Sequence, residues 1–189
     1  MDTDFLFNSF PKLETKRLVL RQENLEDAEA VFAVFSDPKV TQFHNLHTFI
    51  EVEEALGIIQ RRAKRFKIGC GIRWGITHKQ DHKLIGSCGF IWDKQACSAE
   101  IGYELASNYW RQGIMTEALQ TILQFGFEDI GLQFVVAQVM LNNIASKKLL
   151  EKLGFQSQGV LKQHDFWKGQ YHDLEQFMLT KDNAIALHI

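Results

Sequence analysis

A short polar segment that leads directly into a helix is the first place in this sequence where chemistry is expected. Residues 109–119 read YWRQGIMTEAL and follow the strand-like SAEIGYEL of residues 98–105. The first backbone N–H groups of a helix have no partner within it, and the helix dipole adds partial positive charge there. Arg111, Gln112 and Gly113 could therefore form a cradle for an anion, typically a phosphate. The same glycine could equally serve only to relieve crowding in a tight turn, and the residues alone leave both interpretations open.

Other residues with reactive or metal-binding side chains form no recognisable site. Cys70, Cys88 and Cys97 lack CxxC spacing and are expected to be reduced thiols. His78 and His82 have the i,i+4 spacing of a helical metal pair, but they lie in THKQDHK between two strand-like runs. We favour a polar hairpin turn there and predict no metal site. The absence of a GxxxxGK[ST] motif argues against a P-loop nucleotide site.

Composition and charge exclude several classes of protein. The 189 residues carry a net charge of −2 and 46% hydrophobic side chains, which is ordinary for one globular domain. No global field favours nucleic acid or a membrane, and no apolar run approaches the roughly 18 residues of a membrane span. The basic run RRAKR at 61–65 could bind nucleic acid, but we favour its complementing the dipole at a helix C-terminus. We expect a cytoplasmic protein without a secretory signal, one domain over residues 1–189, and a monomer or homodimer.

The hydrophobic pattern predicts an α/β (α+β) fold with a mixed, mostly antiparallel sheet and helices on both faces. The predicted order is βααβββαβαββ. Strands are predicted at residues 16–21, 72–77, 83–92, 98–105, 132–140, 159–167 and 171–180. Helices are predicted at residues 25–35, 48–65, 113–129 and 146–153. The strand at 132–140 is apolar almost throughout, which predicts burial on both of its faces.

Capping residues set the predicted helix ends. Asn24 precedes the first helix, and Thr48–Glu51 fits a capping box for the second. Asn142 or Asn143 caps the last helix, which Gly154 is well placed to end in a left-handed conformation.

Four segments in this order resemble the GNAT superfamily of N-acetyltransferases. They are LETKRLVLR, AEIGYEL, YWRQGIMTEA and NIASKKLLEKLGF. The resemblance covers nearly the whole chain and is greatest to the RimJ/RimL branch, which acetylates protein N-termini. It implies the GNAT fold and transfer of an acetyl group from acetyl-CoA to a primary amine, without a metal.

The resemblance also decides between the two interpretations of the Gly113 turn. It implies that backbone amides of residues 111–116 wrap the pyrophosphate of acetyl-CoA, while the strand end 104–106 pairs with the pantetheine amides. The strands at 98–105 and 132–140 are implied to splay and admit the thioester. The implied cofactor-binding residues are Leu105, Ala106, Arg111, Gln112, Gly113, Ile114, Met115, Thr116, Asn143 and Ser146. This chain has Trp110 where the family signature prefers Arg or Gln, and Met115 where it prefers Gly or Ala, although the N–H of Met115 stays available.

Acetyl transfer to an amine requires a base for the ammonium proton and an acid for the leaving thiolate. By resemblance, Glu100 holds the strand position of a catalytic glutamate, and Asp165 matches the acidic position used in the RimL branch. Glu100 could instead be a solvated strand residue, and Asp165 could anchor the hairpin turn at 168–170. Leu150 replaces the tyrosine that serves many members as the acid. Ser146 matches the serine of the RimL branch, although it could be an ordinary residue of a first helical turn.

The acceptor site is expected between residues 43–49 and the last hairpin, around 164–171. Both segments contain aromatic and histidine side chains without a dominant charge. A protein N-terminus or a small amine therefore suits this site better than a polyamine. The alternative function is a non-catalytic CoA-binding or interaction domain on the same fold.

Overall fold

The computed structural model describes residues 9–80, 82–93 and 95–186. Within these ranges, eight strands form a single sheet. Their bounds are Leu13–Glu14 (β1), Leu18–Gln22 (β2), Gly71–His78 (β3), Leu84–Asp93 (β4), Ser98–Leu105 (β5), Phe134–Met140 (β6), Gln156–Trp167 (β7) and Gln170–Thr180 (β8). The sheet order is β1-β2-β3-β4-β5-β6-β8-β7, and each neighbouring pair is antiparallel except β5 and β6. The predicted fold class is confirmed.

Helices connect and follow these strands. In the same ranges they are Ala28–Phe35 (α1), Pro38–Thr41 (α2), Val52–Lys67 (α3), Ile114–Phe125 (α4), Ile144–Lys152 (α5) and Lys181–Ala186 (α6). A 3₁₀ turn capped by Asn24 leads into α1, and a π-helical turn at Gly126–Ile130 continues α4. All four predicted helices are present. The additional elements α2, α6 and β1 are too short to produce a hydrophobic period.

The helix predicted to begin at Thr48 begins instead at Val52. Its N-cap is Glu51, and the capping box forms with Glu54 rather than within residues 48–51. The hydroxyl of Thr48 is engaged elsewhere, because it lies 2.6 Å from the hydroxyl of Thr41. The predicted capping box is therefore one turn too early.

Helices cover both faces of the sheet. On one face, α4 and α5 pack over the main apolar core, which includes Ile72, Trp74, Phe90, Ile101, Leu119, Ile122 and Leu150. On the other face, α1 and α3 form a second apolar cluster, which includes Val31, Phe35, Ile58 and Ile59. Strand residues alternate between faces. Ile101 therefore faces the main core, whereas Glu100, Gly102 and Glu104 lie on the face covered by α3.

Strand β6 departs from the predicted burial on both faces. Val135, Ala137 and Val139 are buried, but the residues between them remain partly exposed. One face of β6 packs on the main core, while the other is only partly covered.

Candidate active site

The turn before α4 has the conformation of an anion cradle. Gly113 is the N-cap of α4 with φ +73°, and Arg111 is also left-handed with φ +60°. Among the described residues, no side-chain capping hydrogen bond is present at the N-terminus of this helix. A Cβ on Gly113 would have Arg17 Nη2 as its nearest neighbour at 3.6 Å, so the backbone conformation rather than crowding requires glycine. The unpaired N–H groups suit a phosphate.

Contacts with other elements hold this turn in place. Arg17 donates from Nη1 to the carbonyl of Gln112 at 2.9 Å and from Nε to the carboxylate of Glu117 at 2.6 Å. Trp110 donates from Nε1 to the carbonyl of Leu105 at 2.7 Å. Trp110, at the position where the family signature prefers Arg or Gln, thus ties the turn to the end of β5. The cradle is therefore pre-organised.

Strands β5 and β6 separate midway along their length. In the described strands, their parallel ladder runs only from Ser98 opposite Phe134 to Glu100 opposite Val136. Beyond that point β5 continues against β4, and β6 continues against β8. The predicted splay is present. The gap opens toward the carboxyl ends of the two strands, where α4 and α5 begin, and ligands commonly bind there in open α/β sheets.

The first turn of α5 contributes a hydroxyl beside this gap. Asn143 caps the helix by accepting the N–H of Ser146 at 3.2 Å, which settles the choice between Asn142 and Asn143. Ser146 Oγ lies 2.6 Å from the hydroxyl of Tyr103 on β5. Burial raises the pKa of Tyr103 to about 12, although the Ser146 hydrogen bond opposes the shift, so the phenol keeps its proton at neutral pH.

Tyr103 is a candidate site residue that the sequence motifs do not indicate. The signal that could have found it is the alternation of AEIGYEL, which places Tyr103 on the same face as Ile101 and Leu105. That face is the one that α4 and α5 cover. A hydroxyl on an otherwise apolar strand face requires a partner when it is buried.

Glu100, the candidate base, stands where β5 and β6 part. Neighbouring protein atoms displace water from the Glu100 carboxylate, which raises its pKa. The charge of Asp165 raises this pKa further, whereas His164 lowers it. The structure therefore brings both predicted acidic residues to one place and adds a histidine. His164 Nε2 lies 3.1 Å from the side-chain amide nitrogen of Gln138 on β6.

An irregularity in β7 presents Asp165 and His164. The β7–β8 register shifts between Leu161 and Asp165, and Gln163 has φ +48°. The N–H of Gln163 donates to the Asp173 carboxylate at 2.8 Å, which fixes the distortion. Such bulges commonly redirect side chains beside active sites.

On the face covered by α3, buried charges form a cluster that the sequence did not reveal. Arg62 donates to Glu23 at 2.7 Å and to Glu104 at 2.9 Å. Glu104 also accepts from Arg73 and Ser87. Burial opposes ionisation of Glu104, but Arg73 and Arg62 outweigh it and hold its pKa at about 2. This carboxylate is therefore ionised throughout the physiological range.

The basic run RRAKR was expected to complement the dipole at the end of α3, but Arg62 has a different role. Its guanidinium points into the protein, although Lys64, Arg65 and Lys67 do lie in the last turn of α3. Arg62 falls four residues after Ile58 and four before Phe66, on the buried stripe of the helix. This spacing was the available signal.

The two segments predicted to form the acceptor site lie close together. Lys168, in the β7–β8 turn, donates to the carbonyl of Thr41 at 2.7 Å. His44 is neutral at physiological pH because burial lowers its pKa, although Glu104 opposes that shift. Its Nδ1 accepts the N–H of Leu46 at 3.1 Å, so the ring proton is on Nε2, 3.9 Å from the Glu104 carboxylate.

The predicted hairpin at THKQDHK is confirmed. His78 ends β3, and the N–H of His82 donates to the carbonyl of His78 at 2.9 Å before β4 begins. Among the described residues, no group of three or more His, Cys, Asp or Glu side chains is arranged to hold a metal ion. In the same part of the chain, no helix is both long enough and apolar enough to cross a membrane.

Comparison with known proteins identifies the family. Residues 17–156 match the acetyltransferase (GNAT) domain. Over 173 residues the chain is 40% identical to the uncharacterized N-acetyltransferase YoaA of Bacillus subtilis, with 91% of this chain and 98% of that protein covered.

Two solved structures share the fold. RimL, the ribosomal L7/L12 alpha-N-protein acetyltransferase, in complex with coenzyme A, superimposes with a TM-score of 0.82 at 21% identity, covering 92% of this chain and 99% of that one. The microcin C7 self immunity acetyltransferase MccE, in complex with acetyl-CoA and AMP, gives 0.79 at 22% identity, covering 88% and 93%. Identities this low speak for the fold alone. The domain match and the relative in Bacillus subtilis establish that this chain belongs to the GNAT family and is an N-acetyltransferase.

Proposed function

We propose that this enzyme transfers the acetyl group of acetyl-CoA to the primary amine of a small molecule or a peptide N-terminus. The supporting observation is the gap between β5 and β6. It has an anion cradle at one end, a carboxylate where the strands part and a hydroxyl beside it. We further propose that residues 1–189 act as one domain in the cytoplasm, as a monomer or homodimer, without nucleic acid or a membrane as partner.

The residues around the gap fit acetyl-CoA, which supplies the activated thioester. The N–H groups of residues 111–116 would receive its pyrophosphate, since no side chain caps them. The strand end at Leu105 and Ala106 would pair with the pantetheine arm, and Asn143 and Ser146 would contact the same arm. The carbonyl of Leu105 already accepts from Trp110, but a carbonyl has two lone pairs. The RimL and MccE structures, which contain coenzyme A and acetyl-CoA, support this assignment.

Glu100 is the proposed base that removes the ammonium proton from the acceptor. A raised pKa makes the carboxylate a stronger base than an ordinary glutamate, which favours proton transfer near neutral pH. Asp165 is the second candidate. Its charge contributes to the raised pKa of Glu100, so it assists the base even if it never accepts the proton itself.

Ser146 is the proposed donor of a proton to the leaving sulfur. Tyr103 is a positioning residue in this scheme, because an O–H donated by Tyr103 to Ser146 Oγ leaves the serine proton free to face the sulfur. Burial keeps Tyr103 protonated, so it remains able to donate.

The test is thiol release from acetyl-CoA over a panel of amines, with thermal melting in parallel. Saturating acetyl-CoA at a hundredfold excess over Kd should stabilise the fold by about 2.7 kcal/mol. Glu100→Gln should keep that shift and lose turnover, Ser146→Ala should lose turnover, and spermidine should be a poor acceptor. A protein that binds CoA without amine-dependent thiol release would instead be a CoA-binding domain, and one that does not bind would contradict the whole assignment.

A further inference from the structure

A cavity on the sheet face beneath α3 adjoins the proposed base. Its lining includes Arg62, Arg65, Arg73, Gly89, Glu100 and Gly102. Gly89 and Gly102 are directly opposite each other on β4 and β5, so this part of the floor has no side chains. A carboxylate thus stands at one part of the cavity and guanidinium groups at another.

Arg73 turns one nitrogen toward this floor. Its Nε donates to Ser87 at 2.8 Å and its Nη2 donates to Glu104, so two edges of the guanidinium are engaged. Nη1 lies 3.0 Å from the position that a Cβ on Gly102 would occupy. In the described part of the chain, Nη1 makes no hydrogen bond to another protein group, and it is not among the buried polar atoms that lack a partner. It can therefore donate a charged hydrogen bond to a ligand oxygen in the cavity.

Arg65 adds a second guanidinium at the exposed edge of the cavity. It follows Arg62 by three residues on α3, which places both on one side of the helix. Its Cδ lies 3.0 Å from the position of a Cβ on Gly71 at the start of β3, so the side chain extends over the sheet. Whereas Arg62 is paired with Glu23 and Glu104, Arg65 is exposed.

The spacing between the two kinds of charge limits the size of a ligand that could bridge them. Glu100 and Gly102 are two residues apart on one strand, which corresponds to about 6.6–6.8 Å. Two hydrogen bonds of about 2.8 Å account for about 5.6 Å of that distance, so only a small ligand fits between the two ends. An amine that carries a carboxylate or phosphate close to it combines small size with both complementary charges.

We propose that the acceptor is a small zwitterion, with its amine at Glu100 and a nearby carboxylate or phosphate at Arg73 and Arg65. This inference rests on the proposed function and narrows its acceptor class. The anion fixes the orientation in which the amine meets the base. An amine without the anion forgoes the charged hydrogen bonds from Arg73 and Arg65 and is a poorer acceptor.

The test compares matched acceptors by thiol release at fixed acetyl-CoA. L-amino acids are compared with their amides and with the corresponding decarboxylated amines, and phosphoethanolamine with ethanolamine. A charged hydrogen bond is worth about 1.5–3 kcal/mol, so removing the anion should lower kcat/KM about ten- to hundredfold. The two series distinguish carboxylate from phosphate as the preferred anion.

Two variants address the guanidinium groups without deleting the buried Arg73. Arg65→Gln removes the exposed charge, and Gly102→Ala places a methyl group against the flexible end of Arg73. Each should reduce the preference for the anionic acceptor at least about fivefold. Arg61→Gln, an exposed residue of the same helix outside the cavity lining, is the matched control and should retain the preference.

The outcomes separate this inference from the proposed function. An enzyme that acetylates amides, decarboxylated amines or uncharged peptide N-termini as well as the zwitterions would overturn the inference alone. So would a preference for the anion that survives in both variants. A protein that binds acetyl-CoA but acetylates no amine would overturn the proposed function and the inference with it.

Discussion

The carboxyl group of Glu100 shares its surroundings with a second carboxylate and an imidazole. Burial and the charge of Asp165 raise its pKa, whereas His164 lowers it. Asp165→Asn removes a negative neighbour, so the pKa of Glu100 should fall. Because the base must be ionised, the acidic limb of kcat/KM should move to lower pH. A pH–rate profile measures this shift.

His164→Gln provides the opposite change. Removing the imidazole should move the same limb to higher pH, since His164 lowers the pKa of Glu100. An Asp165→Asn profile that loses both its acidic limb and most of its rate would assign the base to Asp165 instead. Glu100→Gln should abolish the limb if Glu100 is the base.

Tyr103 offers a second residue-scale prediction. Tyr103→Phe retains the ring and its packing but removes the hydroxyl that meets Ser146. We expect kcat to fall about tenfold or more, within the range of general acid–base effects, with little change in KM for acetyl-CoA. In a Ser146→Ala background the same substitution should have almost no further effect, because Tyr103 acts through Ser146. Independent, additive losses would contradict this positioning role.

At this scale the sequence predicted residues that lie within recognisable motifs. Glu100, Asn143 and Ser146 were selected because their segments resemble the GNAT family, and the structure places them around the gap. Tyr103 and Arg73 were missed, since their partners are 43 and 14 or more residues away in sequence. Only the folded sheet brings such pairs together.

The turn before α4 is the element that most depends on one backbone conformation. Gly113→Val should strain the left-handed position, at a cost of about 1–3 kcal/mol, and displace the N–H groups of the cradle. We expect the acetyl-CoA-dependent shift in Tm to be largely lost. Thermal melting with and without acetyl-CoA measures both effects.

Gly131→Val is the matched control for this prediction. Gly131 also has a positive φ of +80°, but it follows the π-helical turn at the opposite end of the α4 segment. It should lower the Tm through the same kind of strain while leaving the acetyl-CoA shift intact. If Gly113→Val retained the shift as well, the pyrophosphate would have to bind elsewhere.

The elements themselves were largely predictable because their hydrophobic periods are local. The sequences of β3 and β5 alternate between apolar and polar residues, and α4 has a continuous apolar stripe. The start of α3 was misplaced because Thr48 bonds with Thr41, a tertiary contact that no capping pattern indicates. The partial exposure of β6 likewise depends on how the neighbouring elements cover the sheet, which is a property of the assembled fold.

At the scale of the whole molecule, one cluster of buried charges joins α3 to the sheet. Its members are Arg62 on α3, Glu23 just after β2, Arg73 on β3 and Glu104 on β5. Glu104→Gln leaves two buried guanidinium groups without their shared carboxylate. Breaking a buried ion pair on one side typically costs about 3–5 kcal/mol, so we expect a loss of that order in the free energy of unfolding. Urea unfolding at pH 7 measures it, with the exposed Glu151→Gln as control.

The same variant should also change how stability depends on pH. The folded pKa of Glu104, about 2, lies below its ordinary value of 4.5, so its ionised form stabilises the fold above that value. This contribution is lost as the pH falls from about 4.5 toward 2. Glu104→Gln should therefore lose stability less steeply than the wild type over that window. Equal slopes would show that Glu104 is not the carboxylate responsible.

The contact between Lys168 and Thr41 fastens the far end of the β7–β8 hairpin to α2. Because this hairpin is held at its turn as well as along its strand pairing, it can move only slightly as a whole. Asp165 belongs to this hairpin, whereas Glu100 belongs to the neighbouring part of the sheet, so the restraint limits how far the two carboxylates can drift apart. The pKa of Glu100 thus depends in part on the hydrogen bond between Lys168 and Thr41, although Lys168 takes no part in the chemistry.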